Sequence, residues 1–336
     1  MPKDLAQLHA VIADLPRADA AMEDAARARD AQLTKPPGAL ARLEDIAAFM
    51  AAWQGVHPPR AEDVRVLVFA GNHGIAARGV SAFPAAVTAE MVANFTAGGA
   101  AINQLCAAVG AHLDVEALDL DSPTADFTEA PAMSAQELLD AVAAGRAKVP
   151  KSADLICVGE MGIGNTTAAA AICHALFAGA AEDWVGAGTG VDGAGRDRKA
   201  AVIRSAIAFH GRTLDDPLEV LRHLGGRELA AIAGAVLEAR RNRIPVLLDG
   251  FVAGAAVAPL FAANPAALDH CLAGHRSAES AHGRLLDIFG KAPLLDLGMR
   301  LGEASGATLA VAVVKAAVAV HGGMATFAEA GVSDKD

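Results

Sequence analysis

ADLICVGEMGIGNTTAAAAICHAL, residues 153–176, changes texture twice. The aliphatic run LICVG (155–159) gives way to a glycine turn, MGIGN (161–165), and then to TTAAAAICHAL (166–176), an alanine-rich stretch of helical length. Aliphatic and β-branched residues that stop at glycine read as a strand, and an Ala-rich run free of Gly and Pro reads as a helix. Working outward, similar short runs recur at VRVLVFAG (64–71), HLDVEAL (112–118), DWVGAG (183–188), IPVLLDG (244–250) and, more weakly, PLLDLG (293–298). Strands that alternate with helical segments predict an α/β fold: a Rossmann-like, mainly parallel sheet with helices on both faces. Ligands then belong in the loops at the carboxyl ends of the strands.

The chain ends read differently. Leu5, Leu8, Ile12 and Leu15 share one helical face, as do Leu40, Leu43, Met50 and Trp53, and the chain from Met299 onward is again mostly helical. The expected organisation is a helical segment over 1–60, a large α/β domain over 61–298, and a C-terminal helical segment over 299–336. The two end segments would join in one small helical domain.

Composition narrows the function classes. A formal charge of -11 speaks against nucleic-acid or anionic-membrane partners, because no basic stripe is available to displace counterions. Cys106, Cys157, Cys173 and Cys271 are far apart with no CxxC spacing, which predicts reduced thiols of a cytoplasmic protein, packed in the core. The apolar run ATLAVAVVKAAVAV (307–320) is too short to span a bilayer, is interrupted by Lys315, and reads as a buried helix.

Three glycine-rich loops carry the chemistry. In GEMGIGNTT (159–167) the glycines leave amides free at a helix start, with the hydroxyls of Thr166 and Thr167 beside them, which is the makeup of an anion site. A capped helix, with Asn165 or Thr166 as the cap, is the plainer reading. Glu160 beside an anion loop needs a task, such as binding ribose hydroxyls or polarising a nucleophile. WVGAGTGVDGAGRDRK (184–199) adds Arg196, Arg198 and Lys199 at a second helix start. It lacks both P-loop and dinucleotide spacing, so one Lys delivered to a phosphomonoester fits better than ATP or NAD, with an exposed basic helix start as the alternative. In DLGMRLGEASGA (296–307) small residues flank Glu303, so apolar surroundings could raise its pKa toward that of a general base; a first-turn glutamate facing a helix dipole is the alternative. GHRSAESAH (274–282) would align His275, Glu279 and His282 if helical, yet matches no helical zinc signature. His73, at the end of a strand, reads as a pocket residue.

These pieces, with TKPPGALARLE (34–44), FAGNHGI (69–75), GVSAFPAAVTAEMVANFTAGGAAIN (79–103), GGRELAAIAGA (225–235) and PVLLDGFVAGAA (245–256), resemble in order the nicotinate-nucleotide:dimethylbenzimidazole phosphoribosyltransferases of cobalamin lower-ligand synthesis. The resemblance implies a homodimer, with nicotinate mononucleotide and 5,6-dimethylbenzimidazole as substrates and no cofactor or metal. It implies Glu303 as general base and Glu160 close to the reacting groups. Gly162, Gly164, Asn165, Thr166 and Lys199 would surround the ribose phosphate, and Ser81, Phe83, Met91 and Leu301 would form the base pocket. Two positions depart from the family pattern: Ala39 stands where Ser is frequent, and Phe83 where Tyr is frequent, which keeps an aromatic wall without its hydroxyl. A nucleosidase, or a mononucleotide-binding protein without catalysis, is the alternative use of the same pocket.

Overall fold

A computed structural model describes residues 2–186, 188, 190 and 192–333. Ala187, Thr189 and Val191, part of the second glycine-rich loop, lie outside the described residues. Three helices open the chain: α1 (Leu5–Ala13), α2 (Ala20–Asp30) and α3 (Arg42–Gln54). Asp4 and Asp19 cap the first two, each accepting backbone N–H groups of the first turn. Then follow β1 (Val64–Ala70), α4 (Ala86–Ala97), α5 (Ala101–Val109), β2 (His112–Ala117) and α6 (Ala135–Lys148), the last opened by a Ser134–Glu137 capping box. Next come β3 (Leu155–Met161), α7 (Asn165–Phe177), α8 (Gly193–His210), α9 (Pro217–Leu224), α10 (Arg227–Arg241) and β4 (Val246–Leu248). The chain closes with α11 (Phe251–Ala263), β5 (Cys271–His275), α12 (Ser280–Phe289), β6 (Pro293–Leu295), α13 (Ser305–Gly323) and α14 (Phe327–Ala330).

All the strand pairings are parallel, in the order β2-β1-β3-β4-β5-β6. The order reverses between β1 and β3, so a crevice opens there at the carboxyl ends of the strands. Alternation along the strands divides the core. Leu67, Phe69, Ile156, Val158, Val246 and Leu248 pack with α6, α7 and α9 to α12, while Val66, Val68, Leu155, Cys157 and Leu247 pack with α3, α5 and α13. Leu8 and Ile12 of α1 belong to the first of these layers. Near the termini Leu33 and Thr326 form an antiparallel bridge, and Arg29 donates to the carbonyls of His321, Gly322 and Met324 at the end of α13.

Two expectations change. The described residues of DWVGAG form no strand: its start is a single 3-10 turn, because the Trp184 indole is fully buried, donates to the Ala178 carbonyl and lies under the Arg284 guanidinium. The strand that takes its place in the sheet is β5, CLAGH. The apolar run at 307–320 extends to a helix of 19 residues, long enough by length and composition to cross a bilayer. Its buried face packs on the sheet through Ala307, Ala310, Val311 and Val314, as expected of a core helix. The four cysteines are free and buried.

Candidate active site

A pocket of about 500 Å³ opens at the carboxyl ends of the central strands, within the range of small-molecule sites. Glu160 and Met161 reach it from the end of β3, Gly162 and Ile163 from the following loop, and Asn165 and Thr166 from the start of α7. Phe251 and Val252 come from the start of α11, His275 from the end of β5, and Ser277 and Glu279 from the turn after it. Arg300, Leu301 and Gly302 form the wall that precedes α13.

At one end Thr166 Oγ1 accepts a 2.9 Å hydrogen bond from Lys199 Nζ. Lys199 is almost fully buried on α8, and burial lowers its pKa against the opposing charge of Glu279. A Cβ at Gly188 would stand 2.9 Å from both Lys199 Nζ and Thr166 Oγ1, so only a glycine lets this backbone close over the pair. Arg300 Nη1 donates to the Gly188 carbonyl at 3.0 Å and fixes the same turn from the other side. Gly164, with φ 95°, is the N-cap residue of α7. Asn165 does not cap that helix; its side-chain amide donates to Glu160 Oε2.

At the other end Gly302, Glu303 and Ala304 have φ of 86°, 61° and 61°. Two consecutive non-glycine residues in the left-handed region are costly and persist only where their surroundings hold them. The holding groups are identifiable. Glu303 N–H donates to the Glu160 carbonyl at 3.3 Å, and Asp249, buried after β4, accepts the Ala307 N–H at 2.9 Å and further amides around the start of α13. The Glu303 side chain is 5% exposed, and its Oε2 has no hydrogen-bond partner among the described residues. Burial raises its carboxyl to about 6. Glu160 is pushed further, to about 8, first by burial and then by the negative charges of Glu228 and Asp249, against the Asn165 hydrogen bond. Gly302 separates the two acids: a Cβ there would come 2.7 Å from Glu160 Oε1.

Of the expected residues, Glu160, Gly162, Asn165, Thr166, Phe83 and Leu301 line the pocket. Lys199, Glu303, Gly164, Ser81 and Met91 do not line it: Lys199 is buried and donates to the lining Thr166, and Glu303 is buried next to the lining Gly302. Ser81 Oγ accepts the Phe83 N–H at 3.2 Å, and Met91 packs into the apolar layer of α3, α5 and α13. Phe83 and Leu301 are half exposed, so the apolar end of the pocket is open. Ala39 lies at an exposed turn away from the pocket. His73 is a correction: it does not line the pocket but is buried behind it against Glu228. GHRSAESAH is likewise no single helix, since His275 ends β5 and α12 begins at Ser280; His282 Nδ1 accepts the Ser277 N–H. Among the described residues no group of His, Cys, Asp and Glu is arranged to hold a metal ion. Sequence reasoning passed over Arg300, Asp249 and Glu228. All three sit inside quoted motifs, DLGMRLGEASGA, PVLLDGFVAGAA and GGRELAAIAGA, but Asp249 and Glu228 act on the site from elements remote in sequence, and no local spacing marks them.

A parallel α/β sheet with a switch-point pocket, a Lys–Thr pair at one end and two carboxyls of raised pKa at the other, is the framework of a group-transfer enzyme, and the phosphoribosyltransferase family model matches residues 15–332. The chain is 62% identical over 330 residues to a protein of Novosphingobium aromaticivorans and 61% identical over 331 residues to one of Ruegeria pomeroyi, with 98% of each chain covered. Both carry the name nicotinate-nucleotide–dimethylbenzimidazole phosphoribosyltransferase. A crystal structure of the enzyme so named from Thermus thermophilus superposes with a TM-score of 0.87 at 40% identity, covering 94% of this chain and all of that one. A second, described as CobT from the same organism, gives 0.86 at 41% identity. The chain belongs to the nicotinate-nucleotide–dimethylbenzimidazole phosphoribosyltransferase family.

Proposed function

We propose that this protein moves ribose 5-phosphate from nicotinate mononucleotide to 5,6-dimethylbenzimidazole, giving α-ribazole 5'-phosphate and nicotinate with inversion, in assembly of the cobalamin nucleotide loop. The observation that carries the reading is the pocket itself, lined by Thr166, Glu160 and Gly302, with Lys199 bonded to Thr166 and Glu303 buried next to Gly302. Lys199, Thr166, Asn165 and the Gly162–Gly164 turn hold the phosphate and ribose, so orientation comes from a group remote from the bond that breaks. Phe83 and Leu301 receive the flat acceptor base.

The pyridinium nitrogen of the donor leaves as a neutral ring nitrogen and needs no general acid. Proton management falls on the acceptor. As one benzimidazole nitrogen attacks the anomeric carbon, the N–H of the other becomes acidic, and Glu303, ionised above about pH 6, accepts that proton. Glu160, protonated up to about pH 8, stays a hydrogen-bond donor beside it. Two carboxyls held at different pKa values divide acceptor and donor roles between them. Displacement from the face opposite the leaving ring accounts for inversion without a glycosyl-enzyme intermediate.

We extend the reading to a cytoplasmic homodimer that binds neither nucleic acid nor membrane, consistent with its acidic charge and buried α13. The Leu33–Thr326 bridge and the Arg29 contacts support the stretch after α2 and the C-terminal segment as parts of one helical unit, while α1 packs in the layer of α11. Chromatography of reactions with and without dimethylbenzimidazole tests the function. Release of nicotinate should depend on the base and be matched by α-ribazole phosphate; release with water alone would make the protein a nucleosidase.

A further inference from the structure

Behind the pocket wall lies a buried ionisable pair that the reaction as derived leaves without a task. Glu228, on α10, is completely buried, and its Oε1 lies 2.5 Å from His73 Nε2, just beyond the end of β1. Neither His73 Nδ1 nor Glu228 Oε2 has a hydrogen-bond partner among the described residues. The Glu228 carboxylate opposes ionisation of Glu160 across the wall.

Glycines bring this charge up to the active-site wall. A Cβ on Gly71 would stand 2.5 Å from Glu228 Oε2, and one on Gly226 would stand 2.7 Å from it. A Cβ on Gly162 would meet Glu228 Oε1 at 3.1 Å and Asn165 Nδ2 at 3.3 Å. Glu228 and the Asn165 amide therefore reach the same point beside Gly162, and that amide donates onward to Glu160 Oε2. A side chain at any of these three glycines would push the carboxylate away from the wall.

We propose that Glu228, held by His73, is a positioning residue for Glu160: it stands behind Gly162 beside the Asn165 amide that fixes the direction of the Glu160 carboxyl. The proposal rests on the transferase reading above, in which Glu160 works as a donor beside Glu303. The other charged groups facing Glu160 are Asp249, after β4, and Glu303, before α13. Asp249 is occupied by the amides that hold α13, and Glu303 is the group that must ionise for the reaction. Glu228 is the charge on this wall that touches neither substrate nor the α13 turn. Its negative charge, in a wall from which water is excluded, opposes a second negative charge on Glu160.

The test is the pH profile of kcat/KM in Glu228→Gln, which keeps shape and removes charge. The alkaline limb, near pH 8 in the native protein, should move down by about half a unit or more, so that kcat/KM falls about threefold at pH 8.5 and hardly changes at pH 6.5. In a Glu160→Gln background the same substitution should produce no such shift, because the coupled partner is gone. His73→Leu gives a second route: it removes the hydrogen bond that holds the Glu228 carboxylate behind Gly162, and the limb should move the same way. An alkaline limb unmoved in folded Glu228→Gln, or a shift that persists without Glu160, overturns the proposal. So does failure of both Glu228→Gln and His73→Leu to fold, which would make the pair a folding element. Absence of base-dependent nicotinate release in the native protein would instead overturn the transferase reading.

Discussion

At the scale of single residues, Glu303 is the group on which the proposed chemistry turns. Its carboxyl is raised to about 6 by burial, so the ionised form required of a base accumulates as pH rises through that value. The rate should therefore climb on the acid side with a midpoint near 6. Glu303→Gln keeps the volume and loses the base, and turnover should fall about 10²- to 10⁴-fold with little change in nucleotide affinity. Near-native turnover in that variant would pass the proton to Glu160 or to water. The acid was legible in the sequence because small neighbours flanked it in a glycine-rich turn. Its backbone conformation was not: φ of 61° at both Glu303 and Ala304 is imposed by Asp249 and the Glu160 carbonyl, more than fifty residues away.

At the scale of elements, the turn that carries Glu303 is set by how closely α13 approaches the sheet. A Cβ at Gly159 of β3 would come within 2.0 Å of the Ala304 nitrogen, and one at Gly306 within 2.1 Å of the His275 ring. Bare α-carbons let the start of α13 rest on the strand ends. Gly159→Ala should destabilise the protein by about 1–3 kcal/mol and, by displacing the Gly302–Ala304 turn, lower turnover as well. Gly322→Ala, near the end of the same helix with open space around it, is the control and should be neutral or slightly stabilising. Thermal unfolding and turnover of the two variants read both effects; equal outcomes would remove close packing as the cause. The same packing explains where strand reading failed. CLAGH is short and polar at its end, and Gly274 is useful there because Ala307 packs within 2.6 Å of where its Cβ would be. DWVGAG looked more like a strand, yet Trp184 found a deeper burial site in a turn.

At the scale of the whole molecule, buried titratable groups set the pH range of stability. Eight histidines are shifted down, chiefly by burial, among them His270 and His282 to about 3 and His223 to about 4. An unfolded chain protonates histidine near 6.5, so below that pH the unfolded state binds more protons and stability is lost as pH falls. Glu160, Asp249 and Glu303 work in the opposite sense, with folded values of about 8, 7 and 6. They hold protons that the unfolded chain has released, so their contribution is lost as pH rises from about 4.5 through those values. Because the histidines outnumber these acids, the Tm should peak near pH 6.5, drop toward pH 4.5 and decline more gently toward pH 8.5. Scanning fluorimetry across that range checks it, and a Tm that rose steadily to pH 8.5 would contradict it. The sequence by itself determined the alternation of strand and helix, the glycine loops at strand ends and the residue types of the site, because these rest on periodicity and on local turn chemistry. Only the tertiary structure decided which strands are neighbours, that Glu160 lies against Gly302 and so near Glu303, and that Glu228 and Asp249 charge and brace the wall behind them. Those relations depend on burial and on contacts between residues far apart in the chain, which no local spacing encodes.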